Sequence, residues 1–391
     1  MTVVDVSSYV TGGFATTMLA NQGAEVIKIE RPGGGDPTRQ FGPPFVRGES
    51  GYFMTVNYGK RSVELDLKSE EGQEVVYDLL ADADVFVENF RGSAESLGLG
   101  WETLREHNPE LVYCSISAFG DSGPWSGRPG FDLLLQGLTG IMSVTGEADG
   151  PPAKVGLPQT DLMTAMWAAF GVVNALLRRE RTGRGDRIDV AMFDAAIPWL
   201  TKQAGKALEG EEPKRMGTKD PVVAPYQAFE ARDGYLVCGA PNQTMWKALC
   251  EALDRPDLYE DDRFEDNAKR VENVDELEAE LEATFRERDV DEWLTVLVDE
   301  YELPAGPVNG VPEAIESEQA RQRELVRDLD HSTIGEYPVL EHPVRYEDAG
   351  AGFTRHAPAL GESSEEVLRE RGYSEESISR LREAGVIGSG S

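Results

Sequence analysis

Short apolar runs alternate with helical patterns over the first third of the chain. The apolar runs predict strands over residues 2–6, 24–29, 52–56, 62–67, 84–88 and 111–118, and helices follow some of them over 14–21 and 69–82. Gly12-Gly13 is expected to form the turn between the first strand and the first helix. Because strands separated by helices are typical of a parallel, doubly wound sheet, the pattern predicts an α/β fold.

The clearest helical pattern of the chain covers residues 161–181. Its interior is apolar almost all round, which predicts a helix that is buried on every side. Asp161 stands at its start, where an Asp is usually an N-cap, and Gly183 follows its last turn, as helix ends favour. We therefore expect the carboxylate of Asp161 to lie deep in the fold.

Weaker signals continue beyond this helix. We expect a strand over residues 187–192, a linker over 208–225, a hairpin over 226–240, and two acidic helices over 244–253 and 274–288. Asp233-Gly234 marks the turn of the hairpin. The last four residues, 388–391, look like an expression scar.

Acidic residues greatly outnumber basic ones. The 391 residues include 71 Asp and Glu against 38 Lys and Arg, 10 of them Lys, so the net charge is −33. Such a charge strains a compact chain at low salt, whereas a molar salt concentration shortens the Debye length to about 3 Å and removes most of the repulsion. The acidity therefore favours adaptation to molar salt over a merely acidic protein, and it disfavours nucleic acid as a partner.

Further signals narrow the class of protein. No apolar run approaches the ~20 residues of a membrane span, and no secretory signal is evident. Three scattered Cys exclude a disulfide scaffold, and the four His lie too far apart for a metal site. Gly12-Gly13 lacks the third glycine of a dinucleotide-binding fingerprint. We expect a cytoplasmic enzyme without a metal, a nicotinamide cofactor or a membrane partner.

Two groups of residues carry candidate chemistry. A fixed, ionised carboxylate at Asp161, beside an apolar pocket, could attack an activated carbonyl carbon. The glycine-rich loop 30–39 carries Arg31 and Arg39, and Lys60-Arg61 adds a second pair of cations. Such a loop at the carboxyl edge of a parallel sheet suits a phosphate-bearing ligand, with solvated loop charge as the alternative.

Seven blocks of residues follow one another in an order typical of a known family. They cover residues 30–39, 57–62, 87–91, 127–132, 182–185, 303–308 and 357–362. With these blocks the chain resembles the family III CoA-transferases, the group of formyl-CoA and carnitine CoA-transferases, from near residue 2 to residue 387. The resemblance implies a Rossmann-like large domain, a smaller α+β domain and an interlocked homodimer.

The domain boundaries follow from the same resemblance. Residues 1–205 correspond to the N-terminal part of the large, CoA-binding domain, and residues 206–315 to a linker and the small domain. Residues 316–387 correspond to a C-terminal segment that returns to the large domain.

The resemblance also implies a reaction and the residues that perform it. Asp161 falls on the family's catalytic Asp, which carries CoA from an acyl-CoA to a carboxylic acid through a mixed anhydride and an aspartyl-CoA thioester. Acyl-CoA and a small acid are then substrates, and no cofactor is expected to be tightly bound. The residues expected to contact CoA are Arg39, Lys60, Asn89, Phe90 and Arg128.

Three departures from formyl-CoA transferase affect the choice of substrate. Val10 replaces a Gln near the acyl site, Ser96 replaces a common basic contact to CoA, and residues 217–225 lack the tetraglycine loop that shields the intermediate. Formate and oxalate are therefore not expected as substrates. By analogy with family members of salt-adapted organisms, we expect succinyl-CoA as donor and mesaconate or a similar C4–C5 dicarboxylate as acceptor.

Other functions stay open at this point. CoA could move between two carboxyls of one dicarboxylate, which residues alone do not separate from transfer between two acids. A 2-methylacyl-CoA racemase needs a His where this chain has Phe131, in Gly130-Phe131-Asp132. A nicotinamide oxidoreductase and a non-catalytic CoA-binding protein are the remaining alternatives.

Overall fold

The computed structural model describes residues 1–90, 92, 94–347 and 355–388. Arg91, in the block 87–91, and residues 389–391 of the expected expression scar lie outside the described residues. The chain divides into two units: residues 1–139, 156–199 and 318 onward form the first, and residues 140–155 with 200–317 form the second. The second unit thus includes residues 140–155, which the predicted boundaries place in the large domain.

Over residues 1–117 strands and helices mostly alternate, as the apolar pattern predicts. The strands are β1 (Thr2–Asp5), β2 (Glu25–Glu30), β3 (Phe45–Val46), β4 (Glu49–Ser50), β5 (Lys60–Glu64), β6 (Val85–Glu88), β7 (Val112–Ser117), β8 (Arg187–Ala191), β9 (Tyr226–Glu230), β10 (Tyr235–Gly239), β11 (Ala305–Pro307), β12 (Val326–His331) and β13 (Gly335–Leu340). The helices are α1 (Tyr9–Asn21), α2 (Gly51–Asn57), α3 (Glu70–Leu80), α4 (Trp101–His107), α5 (Asp132–Leu138), α6 (Ile141–Val144), α7 (Gln159–Thr182), α8 (Met192–Ala196), α9 (Thr201–Leu208), α10 (Gln243–Ala252), α11 (Pro256–Glu260), α12 (Asn267–Glu272), α13 (Val274–Phe285), α14 (Val290–Leu294), α15 (Val311–Glu316), α16 (Glu318–Gln322), α17 (Ser364–Glu370) and α18 (Glu375–Glu383).

A parallel sheet forms the centre of the first unit. Within the described part of the chain it has six strands in the order β5-β2-β1-β6-β7-β8, and all neighbouring pairs are parallel. The chain adds strands first on one side of β1 and then, from β6 onward, on the other. This confirms the predicted α/β fold, and ligands of such sheets bind beyond the carboxyl ends of the strands at this switch point.

Successive residues of the sheet enter two different apolar clusters, one on each face. Val3 packs in the cluster that contains helices α1 and α7, whereas Val4 packs in the cluster that contains α3 and α18. Because side chains alternate along a strand, near-continuous apolar runs such as that of β1 are buried on both faces. The C-terminal helices α17 and α18 therefore complete a core that the N-terminal strands begin, and Ile387 forms a β-bridge with Leu65.

Two local predictions near the N-terminus are wrong. Residues 52–56, predicted as a strand, lie in helix α2, whose N-cap Ser50 accepts a hydrogen bond from the Phe53 amide at 3.1 Å. A short apolar run is compatible with a strand or with a helix, and the N-cap Ser50 favours the helix. Gly12-Gly13 lies inside α1 instead of in a turn, and a Cβ on Gly12 would lie 2.1 Å from Ser7 Oγ. The glycines therefore allow close packing of the helix on its neighbours.

Helix α7 differs from its prediction at its start and on one face. It begins at Gln159, so Asp161 lies in the first turn and is not the N-cap. Small residues such as Ala165 and Ala168 face α1, β7 and β8, whereas the opposite side is apolar and exposed. The exposed residues are Met166, Trp167, Phe170, Val173 and Leu177. The expectation of a helix buried on every side is therefore wrong.

The length and composition of α7 would also suit a membrane span, contrary to the expectation that no such segment exists. However, one face of the helix packs on the parallel sheet and on α1. A core helix of an α/β unit passes the same test of length and composition.

The second unit has its own antiparallel sheet and its own core. Strands β9, β10 and β11 pair in the order β11-β10-β9. The predicted hairpin is confirmed, since Ala231 N donates to Gly234 O at 2.8 Å across its turn. The predicted acidic helices correspond to α10 and α13, whose apolar sides pack in a core with Trp246 and Trp293.

Candidate active site

The carboxyl ends of β1 and β6 are joined at the switch point of the sheet. Ser8 N donates to Asn89 Oδ1 at 2.9 Å, and Asn89 Nδ2 donates to Ser8 O at 2.6 Å. Tyr9 follows with a φ of 64°, a left-handed conformation that is uncommon for a residue with a side chain. The two hydrogen bonds between Ser8 and Asn89 form a clamp, the Ser8–Asn89 clamp. Together with the sharp turn at Tyr9, this clamp fixes the start of helix α1 at the edge of the sheet.

A cavity of about 490 Å³ opens at this edge. Its walls come from α1, from the segments that follow β6 and β7, and from the first turn of α7. The residues that line the cavity include Thr11, Asn89, Phe90, Arg128, Phe131 and Asp161. The structure therefore brings together four of the six predicted site residues, whereas Arg39 and Lys60 are not among the described residues that line the cavity.

The Asp161 carboxylate is the group at the cavity best suited to nucleophilic chemistry. Burial raises the pKa of Asp161 to about 6, and the nearby Asp132 carboxylate adds to the rise. The hydrogen bond that Thr11 Oγ1 donates to Oδ1 at 2.5 Å acts in the opposite direction and lowers the pKa. The side chain also lies at a helix N-terminus, where the helix dipole favours negative charge. At pH 7 the carboxylate is mostly ionised, and partial desolvation leaves it more basic than an ordinary Asp.

Asp132 holds the first turn of α7 in place. Its Oδ1 accepts hydrogen bonds from the Thr160 amide at 2.8 Å and from Thr160 Oγ1 at 2.9 Å. Its Oδ2 accepts from Gln136 Nε2 at 2.7 Å. The carboxylate thus satisfies an amide at the start of α7 that has no partner within the helix. Because Asp161 follows Thr160, this contact also fixes the position of the candidate nucleophile.

Thr11 and Asp132 are the site residues that sequence reasoning missed. Asp132 stands in one of the seven family blocks, so its position in a motif was a usable signal. Thr11 carries no comparable signal, because it lies 150 residues from Asp161 in sequence and meets it through packing of α1 on α7.

The predicted CoA contacts at the cavity have different surroundings. The amide of Asn89 is used on both sides by the Ser8 backbone. Phe90 is half-buried, and its amide donates to Glu88 Oε2 at 2.6 Å. Arg128 is exposed, with its guanidinium 5.9 Å from the centre of the Trp125 ring. Phe90 and Arg128 are accessible from the cavity, and the role of all three in CoA binding stays a prediction.

Arg39 is held by contacts within the protein. Its guanidinium forms two hydrogen bonds to Glu30, at 2.8 and 2.7 Å, donates to Pro358 O at 3.0 Å, and lies 3.7 Å from the centre of the Phe53 ring. Burial alone would raise the pKa of Glu30, but Arg39 and Lys28 together hold it below its ordinary value.

Lys60 is enclosed more completely. Its side chain is 0% exposed, and Nζ donates to Asp5 Oδ2 at 3.2 Å, to Gly13 O at 2.8 Å and to Asn57 Oδ1 at 2.8 Å. Burial lowers its pKa to about 8 although Asp5 acts in the opposite direction. These three acceptors use all donors of the ammonium group. A direct contact of Lys60 with CoA phosphates would require the cluster to open, and this contact stays a prediction.

Aromatic side chains extend from the cavity along one side. Tyr9 contacts Phe131 with ring centres 5.6 Å apart and Phe41 at 6.2 Å, and Phe41 stacks on Tyr52 at 6.0 Å. Burial raises the pKa of Tyr52, and the Asp161 and Asp132 carboxylates add to the rise. Apolar ring surface of this kind disfavours water beside a reactive acyl group.

Comparison with known proteins agrees with the fold. Residues 1–364 match the model of CoA-transferase family III. Succinyl-CoA:glutarate CoA-transferase of Mus musculus is 39% identical over 388 residues, which cover 98% of this chain and 89% of the relative. Succinyl-CoA:mesaconate CoA-transferase of Haloarcula hispanica is 39% identical over 382 residues, 95% of each chain.

A solved structure agrees as well. The crystal structure of a CAIB/BAIF family protein from Brucella suis has a TM-score of 0.83 and 37% sequence identity, and the match covers 95% of this chain and 98% of that chain. These matches define the class of protein, an enzyme of acyl-CoA chemistry. The chain belongs to CoA-transferase family III, and the resemblance inferred from the seven blocks is confirmed.

Proposed function

We propose that this enzyme moves CoA from succinyl-CoA to a C4–C5 dicarboxylate, with mesaconate or glutarate as acceptor, through a thioester on Asp161. The observation that carries the proposal is the Asp161 carboxylate at the cavity of the sheet's switch point, with its pKa raised to about 6. The names of relatives that are 39% identical over nearly the whole chain support the choice of acids.

The reaction requires no external oxidant or reductant. One oxygen of Asp161 attacks the thioester carbon, a C–O bond forms, and the C–S bond breaks to release CoA thiolate and leave a mixed anhydride. The thiolate then attacks Cγ of Asp161, which gives the aspartyl-CoA thioester and frees the donor acid as a carboxylate. The acceptor carboxylate repeats the two steps in reverse order and leaves with CoA, so the thioester's energy is conserved if water stays out.

Residues around the cavity are proposed to bind the CoA ester. Phe90 and Arg128 border it and have surfaces that face the space, while Asn89 fixes the loop that carries Phe90. Arg39 and Lys60 remain proposed contacts for the nucleotide end of CoA. CoA esters enter as substrates, and no tightly bound cofactor is proposed.

A panel of acids incubated with succinyl-CoA tests the substrates, with chromatography of the CoA esters as the readout. We expect new esters of C4–C5 dicarboxylates and no formyl-CoA or oxalyl-CoA. Asp161→Ala should abolish transfer while a folded protein that binds CoA remains, and hydroxylamine added during turnover should label Asp161 alone. Transfer at the wild-type rate by Asp161→Ala would exclude this mechanism.

Two alternative reactions have separate tests. An intramolecular transfer would convert a dicarboxylyl-CoA into its isomer with no second acid present. A racemase would exchange the α-hydrogen of a 2-methylacyl-CoA with deuterium from the solvent. Phe131, which lines the cavity at the position where racemases have a His, has no group that accepts a proton, so we expect no exchange.

We also propose that two copies form an interlocked homodimer in the cytoplasm of a salt-adapted cell. The exposed apolar face of α7 supports association, because apolar patches of this kind are usually covered. Phe170, which is 61% exposed, offers a test: Phe170→Asp should shift the mass in multi-angle light scattering from dimer to monomer. Leu208→Asp is the control, an exposed apolar residue of the second unit. A wild-type monomer would refute the proposal.

A further inference from the structure

Thr11 is in direct contact with the candidate nucleophile. It is the third residue of α1, it is 5% exposed, and its Oγ1 donates to Asp161 Oδ1 at 2.5 Å. Oδ2 of Asp161 accepts no hydrogen bond from the residues that the structure describes. The two oxygens of this carboxylate are therefore different: one is held by the hydroxyl group, and the other is available for a substrate carbonyl.

The position of the Thr11 hydroxyl is fixed from several sides. Thr is β-branched, so few χ1 rotamers are open to it in a helix. The backbone on its C-terminal side lies close to its neighbours, since a Cβ on Gly12 would lie 2.1 Å from Ser7 Oγ and one on Gly13 would lie 3.3 Å from Val56 O. On its N-terminal side the Ser8–Asn89 clamp holds the start of the helix. Thr11 thus has little freedom to follow a rotating carboxylate.

We propose that Thr11 is a catalytic residue: its hydroxyl group donates to Oδ1 of Asp161, leaves Oδ2 to attack the acyl carbon, and stabilises the negative charge that forms on Oδ1 when CoA thiolate attacks Cγ. The proposal rests on the proposed function, because it needs Asp161 as the nucleophile. It adds a role for a hydroxyl group at the site and a fate for each carboxylate oxygen.

The electron movements define what Thr11 does in each step. When Oδ2 attacks the acyl carbon and CoA thiolate leaves, Thr11 keeps donating to Oδ1 and no proton is transferred. When the thiolate attacks Cγ, the π-electron pair moves onto Oδ1, and the Thr11 hydroxyl stabilises the resulting oxyanion. The Cγ–Oδ2 bond then breaks, the C=O bond at Oδ1 re-forms, and Oδ2 leaves within the donor acid.

Each turnover therefore exchanges one oxygen of Asp161. The acceptor carboxylate supplies a new oxygen when it displaces CoA from Cγ, and this oxygen stays on Asp161 as the new Oδ2 after the acyl group moves to CoA. Oδ1 is retained within that turnover. Between turnovers the free carboxylate can rotate, because its two oxygens are then chemically equivalent and either one accepts from Thr11. The second oxygen is therefore exchanged in later turnovers.

Oxygen-18 labelling tests this fate directly. The enzyme is incubated for many turnovers with succinyl-CoA and a large excess of acceptor acid that carries oxygen-18 in all its carboxyl groups. The mass of the peptide that contains Asp161 is then measured by mass spectrometry. We expect up to two oxygen-18 atoms per Asp161 after many turnovers, because each turnover exchanges the oxygen that attacks. Thr11→Val should acquire the same label more slowly, so the rate tests the hydroxyl group, and Thr11→Ser, which restores the hydroxyl, should restore the rate.

A matched control and the rates complete the test. Thr17 lies on the same helix, is 0% exposed and donates to Val56 O at 2.7 Å, so Thr17→Val removes a buried hydrogen bond without touching Asp161. It should leave kcat close to the wild-type value. We expect kcat to fall about 10- to 100-fold in Thr11→Val, the loss typical of a hydrogen bond to a charged group, with KM for succinyl-CoA little changed.

The possible results separate the two proposals. An unlabelled Asp161 after many turnovers would refute Asp161 as the nucleophile and with it the proposed function. A labelled Asp161 together with an unchanged kcat in Thr11→Val would leave the nucleophile in place and overturn the role of Thr11. A kcat that falls equally in Thr17→Val, or that Thr11→Ser does not restore, would overturn it as well.

Discussion

Replacing the candidate nucleophile should stabilise the protein while it destroys activity. An Asp in an unfolded chain has a pKa near 3.8, whereas the folded structure raises the pKa of Asp161 to about 6. Below pH ~4 the Asp161 carboxyl group is protonated in both the folded and the unfolded state, so its ionisation does not affect the free energy of unfolding. Between the two pKa values the folded state binds more protons, so stability falls as the pH rises, and above pH ~6 the full cost is present.

The difference between the two pKa values sets the magnitude. At about 1.36 kcal/mol for each tenfold change in proton affinity, the ionised Asp161 costs up to about 3 kcal/mol at pH 7. Asp161→Asn removes the charge and keeps an oxygen that can accept from Thr11. We expect its free energy of unfolding to exceed that of the wild type by about 2–3 kcal/mol at pH 7.5, since the open side of the cavity screens part of the cost.

Urea denaturation at several pH values measures this difference. Wild type and Asp161→Asn are compared at equal protein concentration at pH 4.5, 6 and 7.5, and intact mass excludes hydrolysis of the introduced amide back to a carboxylate. Asp149→Asn, a change at an exposed carboxylate of the second unit, is the control. A stability gain that is equal at pH 4.5 and pH 7.5, or absent at pH 7.5, would refute the reasoning.

Three further changes test the buried charges and the net charge. Lys60→Met should lower the free energy of unfolding by about 3–5 kcal/mol, because it leaves Asp5 charged and buried without its nearest cation; urea denaturation measures this. Arg39→Ala should raise KM for acyl-CoA about 10-fold or more and raise it less for an acyl-pantetheine, which lacks the nucleotide, provided that the predicted contact exists. Both the Tm and the activity should rise from ~0.1 M to above ~1 M KCl, because added salt screens the charge of −33.

Each of these expectations has its own control. Lys68→Met removes an exposed lysine and should leave stability within about 0.5 kcal/mol, and an equally small effect of Lys60→Met would contradict a buried ion pair. Equal losses of Arg39→Ala on both substrates would place its effect away from the nucleotide, for example through the Glu30 pair. An unchanged Tm and full activity at ~0.1 M KCl would show that the acidity is not salt adaptation.

Local signals in the sequence predicted local structure well. Ser69 is followed by a helix and caps it through the Gly72 amide, and Asp233-Gly234 forms the turn of a hairpin, because caps and turns depend on a few neighbouring residues. The parallel sheet followed from apolar runs that alternate with helices. Asp161 was singled out by its place at the start of an apolar helical pattern, and the resemblance then gave it a catalytic role. The helix begins two residues earlier than predicted, at Gln159.

Contacts between segments that are far apart along the chain could not be predicted from the sequence. The hydrogen bond from Thr11 to Asp161 joins residues 150 positions apart, and no pattern in the sequence marks this contact. Lys60 was predicted as a cation for phosphate, yet the fold surrounds it with Asp5, Asn57 and a backbone carbonyl. An apolar helix likewise gives no sign of which face packs inside its own chain and which, like Phe170, stays open.

The contribution of α17 and α18 to the core of the first unit has a consequence for biosynthesis. On the ribosome, strands such as β1 and β5 emerge before the second unit, but their apolar partners Leu381 and Ile387 emerge only after it. The second unit, whose core lies within residues 224–303, has all its core residues earlier. The second unit should therefore fold first, with the strands of the first unit exposed to chaperones until α17 and α18 have emerged.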